Sequence, residues 1–214
     1  MPVVRVLFAV LLFASSVAQA AGKDRYEVGE AVNSFSLKAL NTAESGMGWV
    51  RLDDFVGDKA KTRKKAVLLT FFATYCEPCK REMPFVEALY RQYKDAGLMV
   101  VSVSIDKEDK DLDIVKKLIK KHGVTFPVIS DRFNIVAKRY FISKLPCVYL
   151  VDTDGKVAMV NVGYSDDISK KLLDQIRTAL GEPLDAPIPP EIAAHMTSPK
   201  TATAHADGNE HQGE

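Results

Sequence analysis

The sequence is poor in cysteine and histidine, with three Cys and four His among 214 residues. So few cysteines exclude a small domain held together by many disulfides. The 12 Gly and 10 Pro follow no short repeat, which excludes a collagen-like chain. A hydrophobic content of 47% excludes disorder throughout and suffices for one full-sized core.

Neither sign of charge is in excess. Lys and Arg number 29, Asp and Glu number 28, and the first 20 residues contain one basic residue, Arg5, and no acid. A chain without those residues carries 28 charges of each sign. Such a chain has no overall electrostatic attraction for nucleic acid or anionic lipid, so we expect no nucleic-acid partner.

Residues 1–20 have the pattern of a secretory signal peptide. Arg5 is followed by an apolar run over residues 6–13 and then by Ala18-Gln19-Ala20, with small residues where signal peptidase reads the chain. The run is shorter than the about 20 residues that span a membrane, so cleavage near Ala20 is favoured over the alternative of an uncleaved anchor. Because no later run is long enough, we expect no stable membrane insertion after cleavage and a periplasmic location.

Two continuous apolar runs mark the centre of the chain. Residues 66–73 read AVLLTFFA and residues 98–105 read LMVVSVSI, which is typical of strands buried on both faces. Apolar residues at helical spacing lie between the runs, so the order strand, helix, strand predicts a parallel crossover unit. Later runs at 147–151 and 157–162 flank a turn-rich linker and predict an antiparallel hairpin.

Shorter patterns complete a predicted domain over residues 24–182. Phe35 and Leu37 alternate as in a strand, and a second short apolar piece lies within residues 49–55. Further helices are predicted at 111–121, 135–140 and 167–180, and a short apolar piece at 126–129. From residue 183 the sequence loses periodicity, and we expect residues 183–214 to be a disordered tail.

The candidate site is the run Cys76-Glu77-Pro78-Cys79, where the first buried strand ends and a helix begins. Two sulfurs at this spacing can close a small disulfide, and the first faces the unpaired N–H groups of the helix. That position lowers a thiol pKa from about 8.5 toward about 7. We predict that Cys76 is the exposed nucleophile that attacks a substrate disulfide, and that the more buried Cys79 resolves the mixed disulfide.

Other uses of these cysteines fit the sequence less well. A zinc site lacks ligands because a second cysteine pair is absent and three of the four histidines lie in the predicted tail. Haem attachment would need His at Lys80, and a peroxiredoxin-type peroxidase would need Thr or Ser at Ala73. We predict no metal site. A copper chaperone and an oxidase or isomerase of oxidative folding stay open as alternatives.

The segment FFATYCEPCKREMP, followed by LMVVSVSID, FPVISD and LPCVYLVDTDGKV, resembles the thioredoxin superfamily. Within it, the sequence is similar to the exported TlpA/ResA-like thiol-disulfide oxidoreductases over about residues 26–181. The resemblance implies an α/β thioredoxin-like fold with a central mixed β-sheet flanked by helices, an N-terminal β-hairpin and an inserted segment near residues 107–130. It implies no cofactor beyond a redox-active Cys76–Cys79 disulfide.

The resemblance also assigns a substrate-binding region. Pro146 takes the position of the family's cis-proline, which leaves the backbone of Leu145 to bind a substrate peptide. Glu77 and Pro78, between the two cysteines, complete the predicted contact with the substrate. A proline that merely begins a strand is the alternative interpretation of Pro146.

Two residues near the cysteine pair carry open predictions. Glu82 is the nearest substitute for the buried aspartate of thioredoxins, whose position holds Thr70, and we predict that it tunes the thiol pKa or transfers protons. An ordinary solvated helix residue is the alternative. Cys147, a possible third thiol, is either a buried inert residue or the partner of Cys76 in a regulatory disulfide.

The family implies a reductase that opens disulfides in partner proteins, apocytochrome c among them. Such a reductase must itself be reduced, which implies a membrane electron donor of the DsbD/CcdA type. The sequence leaves the direction of electron flow open, because Glu77 disfavours a nearby thiolate while Lys80 and Arg81 favour it.

Overall fold

A computed structural model describes residues 24–196. The predicted signal peptide and residues 197–214 of the predicted tail lie outside these described residues. The strands are β1 (Ser36–Lys38), β2 (Trp49–Arg51), β3 (Ala66–Phe72), β4 (Leu98–Ser104), β5 (Val128–Ser130), β6 (Cys147–Asp152) and β7 (Val157–Val162). The helices are α1 (Thr42–Ser45), α2 (Glu77–Tyr93), α3 (Asp109–His122), α4 (Ile135–Arg139), α5 (Asp166–Leu180) and α6 (Pro190–Met196), with a 3₁₀ turn at Leu52–Asp54.

Five strands form a mixed sheet in the order β5-β4-β3-β6-β7. Strand β3 runs parallel to β4 and antiparallel to β6, and β6 and β7 form the predicted hairpin. Strands β1 and β2 form a separate antiparallel pair at the N-terminal end, which confirms the predicted hairpin there. Since β3 is central, its carboxyl end lies in the middle of one edge of the sheet.

The sheet is buried on both faces, as the unbroken apolar runs of β3 and β4 predicted. Side chains alternate along β3, so Leu68 and Phe72 join the core beneath α2 while Leu69 and Phe71 join the core on the opposite face. Thr70 has the parity of Leu68 and Phe72 and therefore lies on the α2 side. The opposite core is rich in aromatic side chains, which include Tyr26, Phe35, Tyr140 and Tyr149.

The chain continues in an ordered form beyond the predicted end of the domain. Helix α6 packs against α2 and α5, and Ile192 is fully buried there. Between α5 and α6, the carbonyl oxygens of Leu184, Ala186 and Pro187 accept hydrogen bonds from the buried guanidinium of Arg177. The prediction of disorder from residue 183 is therefore wrong as far as Met196. The segment has no hydrophobic periodicity, but it is ordered by the hydrogen bonds from Arg177 and by the burial of Ile192.

Helix length and composition bear on membrane crossing. Within residues 24–196, none of the helices combines the length and the apolar character that a membrane span requires.

Candidate active site

Cys76 and Cys79 are joined by a disulfide at the start of α2. Cys76 is the N-cap residue of that helix, and its Sγ accepts the backbone N–H of Cys79 at 3.3 Å. Pro78 lies in the first turn, where a residue without an N–H costs no hydrogen bond. The Cys76 sulfur thus lies where the unpaired N–H groups of the helix point, an arrangement that stabilises a thiolate once the disulfide is reduced.

The two sulfurs differ in access, but less than the sequence predicted. Cys76 is 7% exposed and Cys79 is 2% exposed, so the prediction of an exposed nucleophile is wrong in degree. The cause is local, since the Cys76 sulfur is bonded to a buried neighbour and turned toward the helix end. Access to it is through a groove that Cys76 lines.

A groove of about 540 Å³ opens beside Cys76. Its apolar lining includes Tyr75, Ile105, Ile142 and Leu145, and its polar lining includes Glu77 and Lys144. Pro78 also lines it, so the structure brings Glu77, Pro78 and Leu145 together around Cys76, as the resemblance implied. An extended polypeptide segment could lie in a groove of this composition.

Pro146 occupies the end of the segment that leads into β6. The Leu145–Pro146 peptide bond is cis, as the resemblance implied. The carbonyl of Pro146 accepts the N–H of Gly163 at 2.8 Å, which fixes this segment to the end of β7. Leu145 is therefore held at the wall of the groove that Cys76 also lines.

Glu82 is a buried carboxyl and not a solvated one. Its side chain is 2% exposed, and its Oε2 accepts the hydroxyl of Thr70 at 3.3 Å. Burial raises the pKa of Glu82 to about 8, from a usual value of 4.5. Glu82 lines the same small internal cavity as Cys79. The alternative of an ordinary helix residue in solvent is wrong, and the group is protonated at neutral pH.

Cys147 is a free thiol and is 5% exposed. It lies on β6 directly opposite Phe71 of β3. Burial raises the pKa of Cys147 to about 12, and the charge that Glu82 carries above pH 8 adds to this rise. A thiol of this kind forms almost no thiolate at neutral pH, and this favours the inert interpretation over the regulatory disulfide.

The sequence predictions missed Asp106, a buried carboxyl that contacts the turn before Cys76. Both of its oxygens accept the backbone N–H of Thr74, at 3.0 and 3.1 Å, and Oδ1 also accepts the Thr74 hydroxyl at 2.7 Å. The sequence contained a signal for this contact. Asp106 comes shortly after the end of β4 and Cys76 shortly after the end of β3, so both lie at the same edge of the sheet. Polar residues that follow parallel neighbouring strands lie close together at that edge.

Charged groups at the surface modulate the site weakly. Lys80 pairs with the exposed carboxylate of Glu77 at 2.6 Å, and this contact lowers the pKa of Glu77.

Within residues 24–196, no three Cys, His, Asp or Glu side chains are grouped as a metal site would require.

The fold and the site together define a class of protein: a thioredoxin-like domain with a disulfide at the N-terminus of its central helix and a cis-proline at the groove beside it. The AhpC/TSA family matches residues 28–160, and the chain belongs to this family, within its ResA-like thiol-disulfide oxidoreductases.

Individual relatives agree with this assignment. The chain is 33% identical over 158 residues to thiol-disulfide oxidoreductase ResA of Oceanobacillus iheyensis, a match that covers 74% of this chain and 77% of that one. It is 32% identical over 152 residues to ResA of Geobacillus thermodenitrificans, covering 70% and 79% of the two chains.

A solved structure shares both fold and part of the sequence. The protein from Chlorobium tepidum described as thiol:disulfide interchange protein DsbE superposes with a TM-score of 0.62 at 28% identity, covering 73% of this chain and 99% of that one. The present protein is thus a thiol-disulfide oxidoreductase.

Proposed function

We propose that this protein is a periplasmic reductase that opens disulfides in partner proteins, apocytochrome c among them, with the Cys76–Cys79 pair as its redox group. The observation that carries the proposal is the position of the Cys76 sulfur. It caps α2, accepts the N–H of Cys79 at 3.3 Å, and borders an apolar groove walled by Leu145. One sulfur is thus both stabilised as a thiolate and placed beside a surface for an extended peptide.

The reaction begins with the reduced dithiol. The Cys76 thiolate attacks one sulfur of the substrate disulfide, so that a mixed disulfide forms and one substrate thiolate leaves. Cys79 then loses its proton and attacks the Cys76 sulfur, which releases the second substrate thiol and forms the Cys76–Cys79 disulfide. Two electrons pass to the substrate, and the protein is left oxidised.

The ionised form of Glu82, a minor fraction at neutral pH, is the proposed proton acceptor for Cys79. The two residues line one internal cavity, and the pKa of Glu82 is raised to about 8. A carboxylate whose pKa is raised to about 8 is a stronger base than an ordinary carboxylate of pKa 4.5, so it accepts a proton from a thiol at a lower free-energy cost. Solvent does not have to enter the core for the resolving step.

Each cycle requires a source of electrons. We propose a membrane donor of the DsbD/CcdA type, because an exported reductase works in a compartment that is otherwise oxidising. The signal-peptide pattern of residues 1–20 and the similarity to ResA support this location.

Trapping of substrates tests the proposal. A Cys79→Ser variant cannot resolve the mixed disulfide and should accumulate partner proteins on Cys76, whereas a Cys76→Ser, Cys79→Ser variant should accumulate none. Apocytochromes c among the trapped proteins would support the proposal. Recovery of no protein partner, together with tight stoichiometric copper binding by the reduced protein, would instead support a copper chaperone.

The reduction potential decides the direction of electron flow. Equilibration with glutathione should give a potential near that of thioredoxin, about −270 mV. A value near −120 mV, typical of a strong oxidant such as DsbA, would contradict a reductase and support the oxidase alternative.

A further inference from the structure

We propose that Asp106 is a positioning residue for the redox turn, by which we mean residues 73–76 that join β3 to α2. The inference rests on the proposed role of Cys76 as the attacking thiol. Asp106 is 3% exposed, and its carboxylate is directed into the protein toward this turn and away from solvent.

Within residues 24–196, every hydrogen bond that the Asp106 carboxylate accepts comes from the turn or from the strand end that supports it. Thr74 donates its backbone N–H to both oxygens, at 3.0 and 3.1 Å, and its hydroxyl to Oδ1 at 2.7 Å. The hydroxyl of Ser104, the last residue of β4, donates to Oδ2 at 2.8 Å. Hydrogen bonds to a charged acceptor are about twice as strong as neutral ones, and here they tie Thr74 to the end of β4.

The anchored turn determines where the Cys76 sulfur lies. The carbonyl of Phe72, the residue before the turn, accepts the N–H of Ile105 at 3.0 Å, and Cys76 closes the turn by donating its N–H to the carbonyl of Ala73 at 3.0 Å. Thr74 lies within the redox turn, two residues before Cys76, so its hydrogen bonds to Asp106 limit the movement of Cys76. The 3.3 Å contact between the Cys76 sulfur and the N–H of Cys79 depends on that restraint.

The chain offers a matched control in Asp131. It is also 3% exposed and also follows a strand of the same sheet, β5. Its oxygens accept backbone N–H groups of Ile135 and Ala137, at 2.9 and 2.7 Å, so it anchors the start of α4 and not the redox turn. Loss of either carboxylate should destabilise the fold to a similar extent, but only Asp106 should affect Cys76.

The test measures the pKa of Cys76 in the reduced protein from the pH dependence of its alkylation rate. Asp106→Ala removes the anchor, so the sulfur leaves the helix end and its pKa should rise by about one unit, which from a pKa near 7 is about a fivefold loss of thiolate at pH 7. Asp106→Asn removes the charge and keeps one acceptor oxygen for Thr74, and the amide NH2 that replaces the other oxygen can donate to the Ser104 hydroxyl, so the pKa should stay at the wild-type value or fall. Asp131→Ala should leave it unchanged.

Equal Cys76 pKa values in Asp106→Ala and Asp106→Asn would overturn the proposal, because the carboxylate would then act by charge alone or not at all. A rise of the same size in Asp131→Ala would also overturn it, since the effect would follow from general destabilisation. These measurements of the Cys76 pKa require no substrate. If Cys76 of the reduced wild type could not be alkylated at all, that result would contradict the proposed function and not the role of Asp106.

A milder variant covers the case in which Asp106→Ala does not fold. Thr74→Val keeps the backbone N–H bonds and removes the hydroxyl that lies 2.7 Å from Oδ1. The Cys76 pKa should rise in this variant and return to the wild-type value in Thr74→Ser, which restores the hydroxyl. No difference between Thr74→Val and Thr74→Ser would contradict the anchor.

Discussion

The hydroxyl of Thr70 on β3 donates to the carboxyl of Glu82 on α2, at 3.3 Å and inside the core. This contact favours the ionised form of Glu82, but burial opposes it more strongly and raises the pKa to about 8. A group that is protonated in the folded protein and ionised in the unfolded chain makes stability depend on pH.

The sign of this dependence follows from the direction of the shift. The pKa of Glu82 is raised from 4.5 to about 8, so its stabilising effect is complete below about pH 4.5 and is lost as the pH rises through 8. Over that window the free energy of unfolding of the oxidised protein should fall by about 1.4 kcal/mol per pH unit from this group alone.

Glu82→Gln should abolish that part of the pH dependence, because the amide does not titrate. Urea unfolding of the oxidised wild type and variant, at pH values from 5 to 9, measures their difference in free energy of unfolding. The contributions of the other titrating groups are common to both proteins and cancel in this difference. Two parallel curves would show that Glu82 is ionised in the folded protein at neutral pH.

Cys147 should be chemically silent in the native state. Its pKa, raised to about 12 by burial, leaves almost no thiolate at neutral pH. Alkylation of the reduced native protein should therefore modify Cys76 and leave Cys147 intact until denaturant is added, and Cys147→Ala should retain disulfide reduction. Peptide mapping that found a disulfide between Cys76 and Cys147 would contradict this prediction.

The segment from residue 183 to the end of α6 should contribute to the stability of the domain. Ile192 is fully buried, and its replacement by Ala should lower the free energy of unfolding by about 2–4 kcal/mol. Leu184 in the same segment is 57% exposed and provides the control, because Leu184→Ala should change stability by less than about 0.5 kcal/mol. Equal effects of the two substitutions would show that α6 does not pack on the domain in solution.

Much of the fold could be predicted because its signals are local in the sequence. The unbroken apolar runs of β3 and β4 give two buried parallel strands, and the linker after Asp152 gives the hairpin of β6 and β7. The spacing of Cys76 and Cys79 at a strand-to-helix junction likewise predicts the N-cap position of the first sulfur. Each of these signals lies within one element or at its end.

The remaining features depend on contacts between distant residues. Arg177 and the carbonyl groups that it satisfies order a segment that has no periodicity of its own. Asp106 and Thr74 are 32 residues apart and meet only because β3 and β4 are neighbours. Glu82 had a local signal, since it is three residues from both Cys79 and Phe85 and so shares their buried helix face.

The order in which the two thiols react tests the central claim most directly. The reduced wild type is alkylated at a series of pH values, and mass spectrometry assigns the modified cysteine at each one. Modification should occur first at Cys76, with a midpoint below the about 8.5 of an ordinary thiol, because its sulfur caps α2. Modification of Cys79 first, or a Cys76 midpoint at or above 8.5, would contradict the account.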